Sequence, residues 1–303
     1  MDSERSFSRT LLLTMLAMLA FAGNSVIGRL ALRDGALDAT SFTVLRLLAG
    51  AVVLTALVGL RSSGRGGRAF AWIRQGGWMP ALALFIYAIT FSFAYRNLTA
   101  ATGALLLFGA VQVSMILIGL RRGERLRPVA VAGFLLAVAG LIALLLPGLA
   151  APPVVPAALM LISGTAWGVY SILGRGVADP LVATAANFLR AFPLSVLILM
   201  VVLVAPADFS GDTRFLRISD LNWNSFATVY AILSGGLTSG LGYAIWYAAL
   251  PGLKSAQAAS VQLSVPVITA LAGVVLLGEA ISLRLLICSV VILGGIGLII
   301  SDR

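Results

Sequence analysis

Long stretches without a single charge constrain this chain more than any motif does. No Asp, Glu, Lys or Arg falls between Arg9 and Arg29, Arg74 and Arg96, Arg96 and Arg121, Lys254 and Glu279, or Arg284 and Asp302. A membrane-crossing helix needs about 20 mostly apolar residues, and each gap is of that order. Two further windows, from Ala39 to Leu60 and from Leu181 to Ala207, hold one arginine each, Arg46 and Arg190. The uncharged run from Pro128 to Gly174 is too long for one span, and the breakers Pro147-Gly148 and Pro152-Pro153 divide it. Charged residues make up 11% of the chain and apolar ones 60%, whereas a soluble domain carries roughly 25% charge. The chain is therefore expected to be an all-α polytopic membrane protein.

Ten spans are predicted, over residues 11–30, 40–60, 78–95, 99–119, 128–147, 155–174, 182–205, 225–248, 255–277 and 281–300. The first has a rival reading as a signal peptide, with Arg5 and Arg9 ahead of the Leu11–Phe21 run and small residues at Ala20 and Ala22. Its participation in an internal repeat argues for a retained helix. Of the 21 basic residues, 13 lie on the side holding both termini and 6 on the other. The arginine-rich side of a membrane protein is the cytoplasmic one, so both termini are expected in the cytoplasm. This also accounts for the net charge of +10 without a nucleic-acid partner.

The two halves resemble each other. Gly123-Glu124 after the fourth span matches Gly278-Glu279 after the ninth, 155 residues later, and Ala139-Gly140-Leu141 falls on Gly294-Gly295-Ile296 at the same offset. Tyr95-Arg96-Asn97-Leu98 returns as Tyr247-Ala248-Ala249-Leu250, Thr43-Val44-Leu45-Arg46 as Asn187-Phe188-Leu189-Arg190, and Gly23 as Gly168. Five spans per half is an odd number, so the copies must lie in opposite orientations, as in many secondary transporters. The expected units are residues 1–149 and 150–303, two inverted five-helix repeats around a central cavity.

With the Gly-Glu turns, the five-plus-five helices and Pro266 upstream of Glu279, the chain resembles the drug/metabolite transporter superfamily, EamA type, over about residues 11–300. Within it the chain looks most like the YddG-type exporters of aromatic and other amino acids of bacterial inner membranes. That resemblance implies alternating access and export of amino acids or similar metabolites, with the lipid bilayer and a small-molecule substrate as partners. Val111 stands where the second half has Pro266, so the halves are not expected to bend alike.

Polar and aromatic residues inside spans are costly and therefore informative. The substrate-binding candidates are Asn24, Tyr87, Phe91, Gln112, Ser163, Trp167, Tyr170, Ser239, Tyr243, Trp246, Gln257 and Ser260. Such a lining suits zwitterionic or amphipathic solutes. Some of these side chains have plainer uses: serines in membrane helices often bond their own backbone, and Gly236–Gly240 has a helix-packing spacing. Arg46 and Arg190 are read as snorkelling or as pairing with Asp38 and Asp179, in structural or gating ion pairs.

No cofactor or metal is expected. Histidine is absent and Cys288 is the lone cysteine, which excludes His-based triads and Cys₄ metal sites. The alternative, an integral-membrane enzyme acting on a lipid-linked substrate, needs clustered aspartates for Mg²⁺. Asp208, Asp212 and Asp220 are instead spread through the longest connection among Arg214 and Arg217. All eleven acidic residues fall in termini, connections or span edges, so facilitated transport without obligatory ion coupling is expected.

Overall fold

The computed structural model describes residues 2–62, 75–121, 127–146, 151–174, 177–204, 224–253 and 261–301, and those residues contain helices and no strand. The helices are α1 (Asp2–Leu32), α2 (Ala39–Ser62), α3 (Trp78–Tyr95), α4 (Ala100–Arg121), α5 (Pro128–Leu145), α6 (Val154–Leu173) and α7 (Pro180–Val204). Then come α8 (Ser225–Leu233), a π-helical segment (Ser234–Leu241) and α9 (Gly242–Ala249), which run on without a break, followed by α10 (Ser264–Leu277) and α11 (Leu283–Ser301). Seven of them, α1 to α7, are long and apolar enough to cross a membrane. The protein is an all-helical polytopic membrane protein. Large apolar side chains such as Leu135, Leu197, Val275 and Val290 stay exposed, as a surface facing lipid requires.

Local chemistry sets the helix ends close to the positions expected from charge and turn residues. Asp38 Oδ1 accepts from Ser41 N at 2.8 Å and Asp179 Oδ1 from Val182 N at 3.2 Å, so each caps the helix that follows it. Asn224 caps α8 in the same way, accepting from Phe226 N at 2.8 Å. Pro128 and Pro180 open their helices at the first position, where a missing N–H costs nothing. Gly278 ends α10 with φ 66°, and Glu279 N donates to Gly273 O at 3.1 Å. This is a left-handed C-cap that only a residue without Cβ adopts readily.

Pro266 follows an interruption in the ninth expected span, where Val261 and Gln262 are helical and Leu263 is a turn. The helix restarts at Ser264, leaving Pro266 in the first turn of α10. Having no N–H, Pro266 cannot bond the carbonyl four residues back, at the helical Gln262, in keeping with the break between them. Residues 254–260 lie outside the described residues.

In the packing, α5 lies on α11, α2 on α7, and α4 on α10. Helix α6 packs on α3 and α4, while α1 packs on α8, α9 and α10. Helix α2 also touches the π segment, and α3 touches α7. Small residues permit the tightest approaches. A Cβ on Gly164 would overlap the Leu107 carbonyl of α4, and one on Gly235 would overlap the backbone of Arg46.

Candidate functional site

The centre of the bundle is polar. Asn24 of α1 is buried, and its Oδ1 accepts from Ser234 Oγ at 2.8 Å, Thr238 Oγ1 at 3.2 Å and Ser239 Oγ at 3.2 Å. Its Nδ2 donates to the Tyr87 hydroxyl at 3.0 Å. Three hydroxyls from one segment reach a single oxygen because Ser234–Leu241 is a π-helix. Extra residues per turn bring 234, 238 and 239 to one side, a distortion that recurs at functional sites.

Arg46 sits in the same cluster, only 1% exposed. Its Nε donates to Ser239 Oγ at 3.0 Å, and its Nη2 donates to the hydroxyls of Tyr87 and Tyr243, each at 2.9 Å. The guanidinium lies over the rings of Phe91 at 4.6 Å and Tyr87 at 5.0 Å, a cation–π arrangement. The Tyr243 hydroxyl donates to that of Tyr87 at 2.9 Å, so α2, α3 and α9 meet at one knot.

Aromatic rings continue the site. Trp167 lies 4.4 Å from Tyr243, 5.2 Å from Tyr87, 5.4 Å from Phe21 and 5.5 Å from Tyr170, centroid to centroid. Trp246 meets Phe21 edge-on at 5.9 Å. A narrow cavity is lined by Asn24, Ser25, Tyr87, Phe91 and Trp167, with Phe21, Leu107, Phe108 and Tyr243 closing it. Its free space is on the scale of a single water molecule.

Most candidates from the sequence meet here: Asn24, Tyr87, Phe91, Trp167, Tyr170, Ser239, Tyr243 and Trp246 belong to this cluster. Ser163 instead donates to the backbone carbonyl of Tyr87 at 2.9 Å, tying α6 to α3. Gln112 is buried on α4 but does not line the cavity. Gln257 and Ser260 lie outside the described residues. Phe21, Phe108, Ser234 and Thr238 join the site beyond the residues expected from the sequence. The signal for the two hydroxyls was available: Ser234-Gly235-Gly236-Leu237-Thr238-Ser239-Gly240 is a polar run inside an apolar span.

The expected ion pairs are not the ones that form. Arg46 is eight residues beyond Asp38, roughly 12 Å along a helix at 1.5 Å per residue, and turns inward instead of back to its cap. Asp179 pairs with Arg61 at 2.7 Å, while Arg190 Nη1 donates to the carbonyl of Ala186 at 3.2 Å. Asp38 and Asp179 are thus occupied as helix caps, Asp179 also holding the end of α2.

A second polar junction closes the end of the bundle opposite Arg61. Arg29 Nε meets Glu279 Oε1 at 3.2 Å, and Arg29 Nη1 donates to the carbonyls of Tyr95 and Arg96, each at 3.0 Å. Glu279 Oε2 accepts from Ala100 N at 2.7 Å. The ends of α1 and α10 are thereby bolted to the junction of α3 and α4. Its counterpart by sequence, Glu124, lies outside the described residues.

Residues 155–301 match the EamA-like transporter family. An uncharacterized protein of Pseudomonas aeruginosa is 55% identical over 295 residues, covering 97% of this chain and 96% of that one. An uncharacterized transporter of Archaeoglobus fulgidus is 28% identical over 284 residues, 90% of each chain. A crystal structure superposes with a TM-score of 0.64 at 21% identity, covering 98% of this chain and 99% of that one, a likeness of fold.

Proposed function

Because the chain belongs to the EamA-like transporter family, we propose that it is a secondary transporter exporting amino acids or related small metabolites by alternating access. The observation that carries this is the sealed polar and aromatic cluster between residues of both sequence halves, Asn24, Arg46 and Tyr87 from one and Trp167, Ser239 and Tyr243 from the other. A purely structural bundle has no need of so many polar groups at its centre.

Ten spans in two inverted repeats, residues 1–149 and 150–303, fit the packing. Exchanging the halves turns the α3–α6 contact into that of α8 and α9 with α1, and α4–α6 into α10–α1. The same exchange turns α2 against the π segment into α7 against α3, and leaves α2–α7, α4–α10 and α5–α11 in place. The YddG-type subclass, an inner-membrane location and cytoplasmic termini follow from the resemblance and the arginine distribution. The family and the transporter-named relative point to transport rather than to catalysis.

Flux into proteoliposomes containing only this protein tests the reading. A labelled neutral amino acid should equilibrate down its gradient, and an imposed pH or sodium gradient should not concentrate it. Absence of flux overturns the transport of amino acids, and uphill accumulation overturns the facilitative mechanism.

A further inference from the structure

Arg46 carries a full positive charge inside the bundle, and no carboxylate among the described residues pairs with it. The chain's acidic residues all lie in termini, connections or span edges. Its three hydrogen-bond partners are neutral hydroxyls. Among the described residues its buried Nη1 finds no acceptor, and neither does the buried indole nitrogen of Trp167, whose ring packs on Arg46's partners Tyr87 and Tyr243. The site therefore holds an excess of positive charge and of N–H donors. Burying a charge is strongly unfavourable unless an opposite charge and acceptors accompany it. Beside these donors stand apolar ring faces: Phe91 under the guanidinium, and Trp167 against Phe21 and Tyr243.

We infer that Arg46 is the anchor for a carboxylate, and that this transporter takes small organic carboxylates with an apolar or aromatic body. The carboxylate accepts from Arg46 Nη1 and supplies the missing counter-charge, and the body lies among the rings of Phe21, Trp167 and Tyr243. An amino acid enters through its carboxylate. The described cluster offers an ammonium no anionic partner, so a des-amino acid binds by the same contact. This inference rests on the transport reading above and narrows its substrate class.

Binding is separable from flux. Trp167 lines the cavity, so its fluorescence in the purified protein reports occupancy. Hydrocinnamate and its carboxamide have nearly the same shape and differ in charge. The carboxylate should bind about tenfold or more tightly than the amide, the scale of a charge-assisted hydrogen bond. Arg46→Gln should remove that preference, and Arg46→Lys, which keeps the charge but not the planar fork, should restore part of it. Equal affinity for the two probes in the wild type, or no binding of either, overturns the anchor without needing any variant to fold. A preference undiminished in Arg46→Gln overturns it as well. Tight carboxylate binding without flux of any carboxylate would uphold the anchor and count against the transporter reading.

Discussion

Asn24 links the two features that define the site, the convergent hydroxyls of the π segment and the Tyr87–Arg46 knot. Asn24→Asp changes almost no volume but places a carboxylate one hydroxyl away from Arg46. The internal acid would balance the buried guanidinium, so the variant should melt a few degrees higher than the wild type. It would also compete with an incoming carboxylate, and flux should fall about tenfold or more. Melting curves and proteoliposome flux check both arms, and a less stable variant with intact flux would contradict the account. Asn24→Ala separates charge from hydrogen bonding. It leaves the hydroxyls of Ser234, Thr238 and Ser239 without their shared acceptor, at about 1–3 kcal/mol for a buried unsatisfied group, and should lower both stability and flux.

At the scale of elements, the Gly-Glu turn after α10 has two connected roles. Gly278 closes the helix in a left-handed conformation, and this aims Glu279 at Arg29 and at the backbone of Ala100. Glu279→Ala should loosen that end of the bundle, since it removes the ion pair and the bond to Ala100 together. Gly278→Ala should act in the same direction but less, through about 1 kcal/mol of backbone strain. A cysteine at Ser25, which lines the cavity, should react several-fold faster with a water-soluble thiol reagent in the Glu279→Ala background. Unchanged labelling would show that the junction is not what excludes water at this end. The test needs Cys288 replaced, and because Cys288 is buried in α11, Cys288→Ala is the least disruptive choice.

For the whole molecule, the boundary between the sequence halves is not the boundary between packed groups. Helix α6 lies with α3 and α4, and α1 lies with α8, α9 and α10. Motion between these two groups is the expected form of alternating access. The contacts that Arg29 makes with Tyr95 and Arg96, and Glu279 with Ala100, cross between them. Cysteines replacing Ala100 and Glu279, in the Cys288→Ala background, should stop flux when joined by a short reducible cross-link and release it on reduction. Flux that survives cross-linking would show that this end need not open.

The positions of the helices were legible in the sequence because they depend on local quantities. Each uncharged stretch carries its own transfer free energy into lipid, and most ends are marked by a capping side chain, a Pro or a Gly within a few residues. Much of the site was legible for a related reason: a buried Tyr or Asn in an apolar helix is costly wherever the helix lies, so its presence points inward. The choice of partners could not be read in the same way. Asp38 and Arg46 are near in sequence, but on a helix they stand about two turns apart, and packing carried Arg46 to Ser239 and Tyr243 instead. Glu279 found Arg29 at a separation of 250 residues. The π-helix that gathers Ser234, Thr238 and Ser239 onto Asn24 is likewise stabilised by a contact between distant segments. Helix formation is decided within one segment, but the neutralisation or exposure of a buried charge depends on which other segments surround it, and only the tertiary structure decides that.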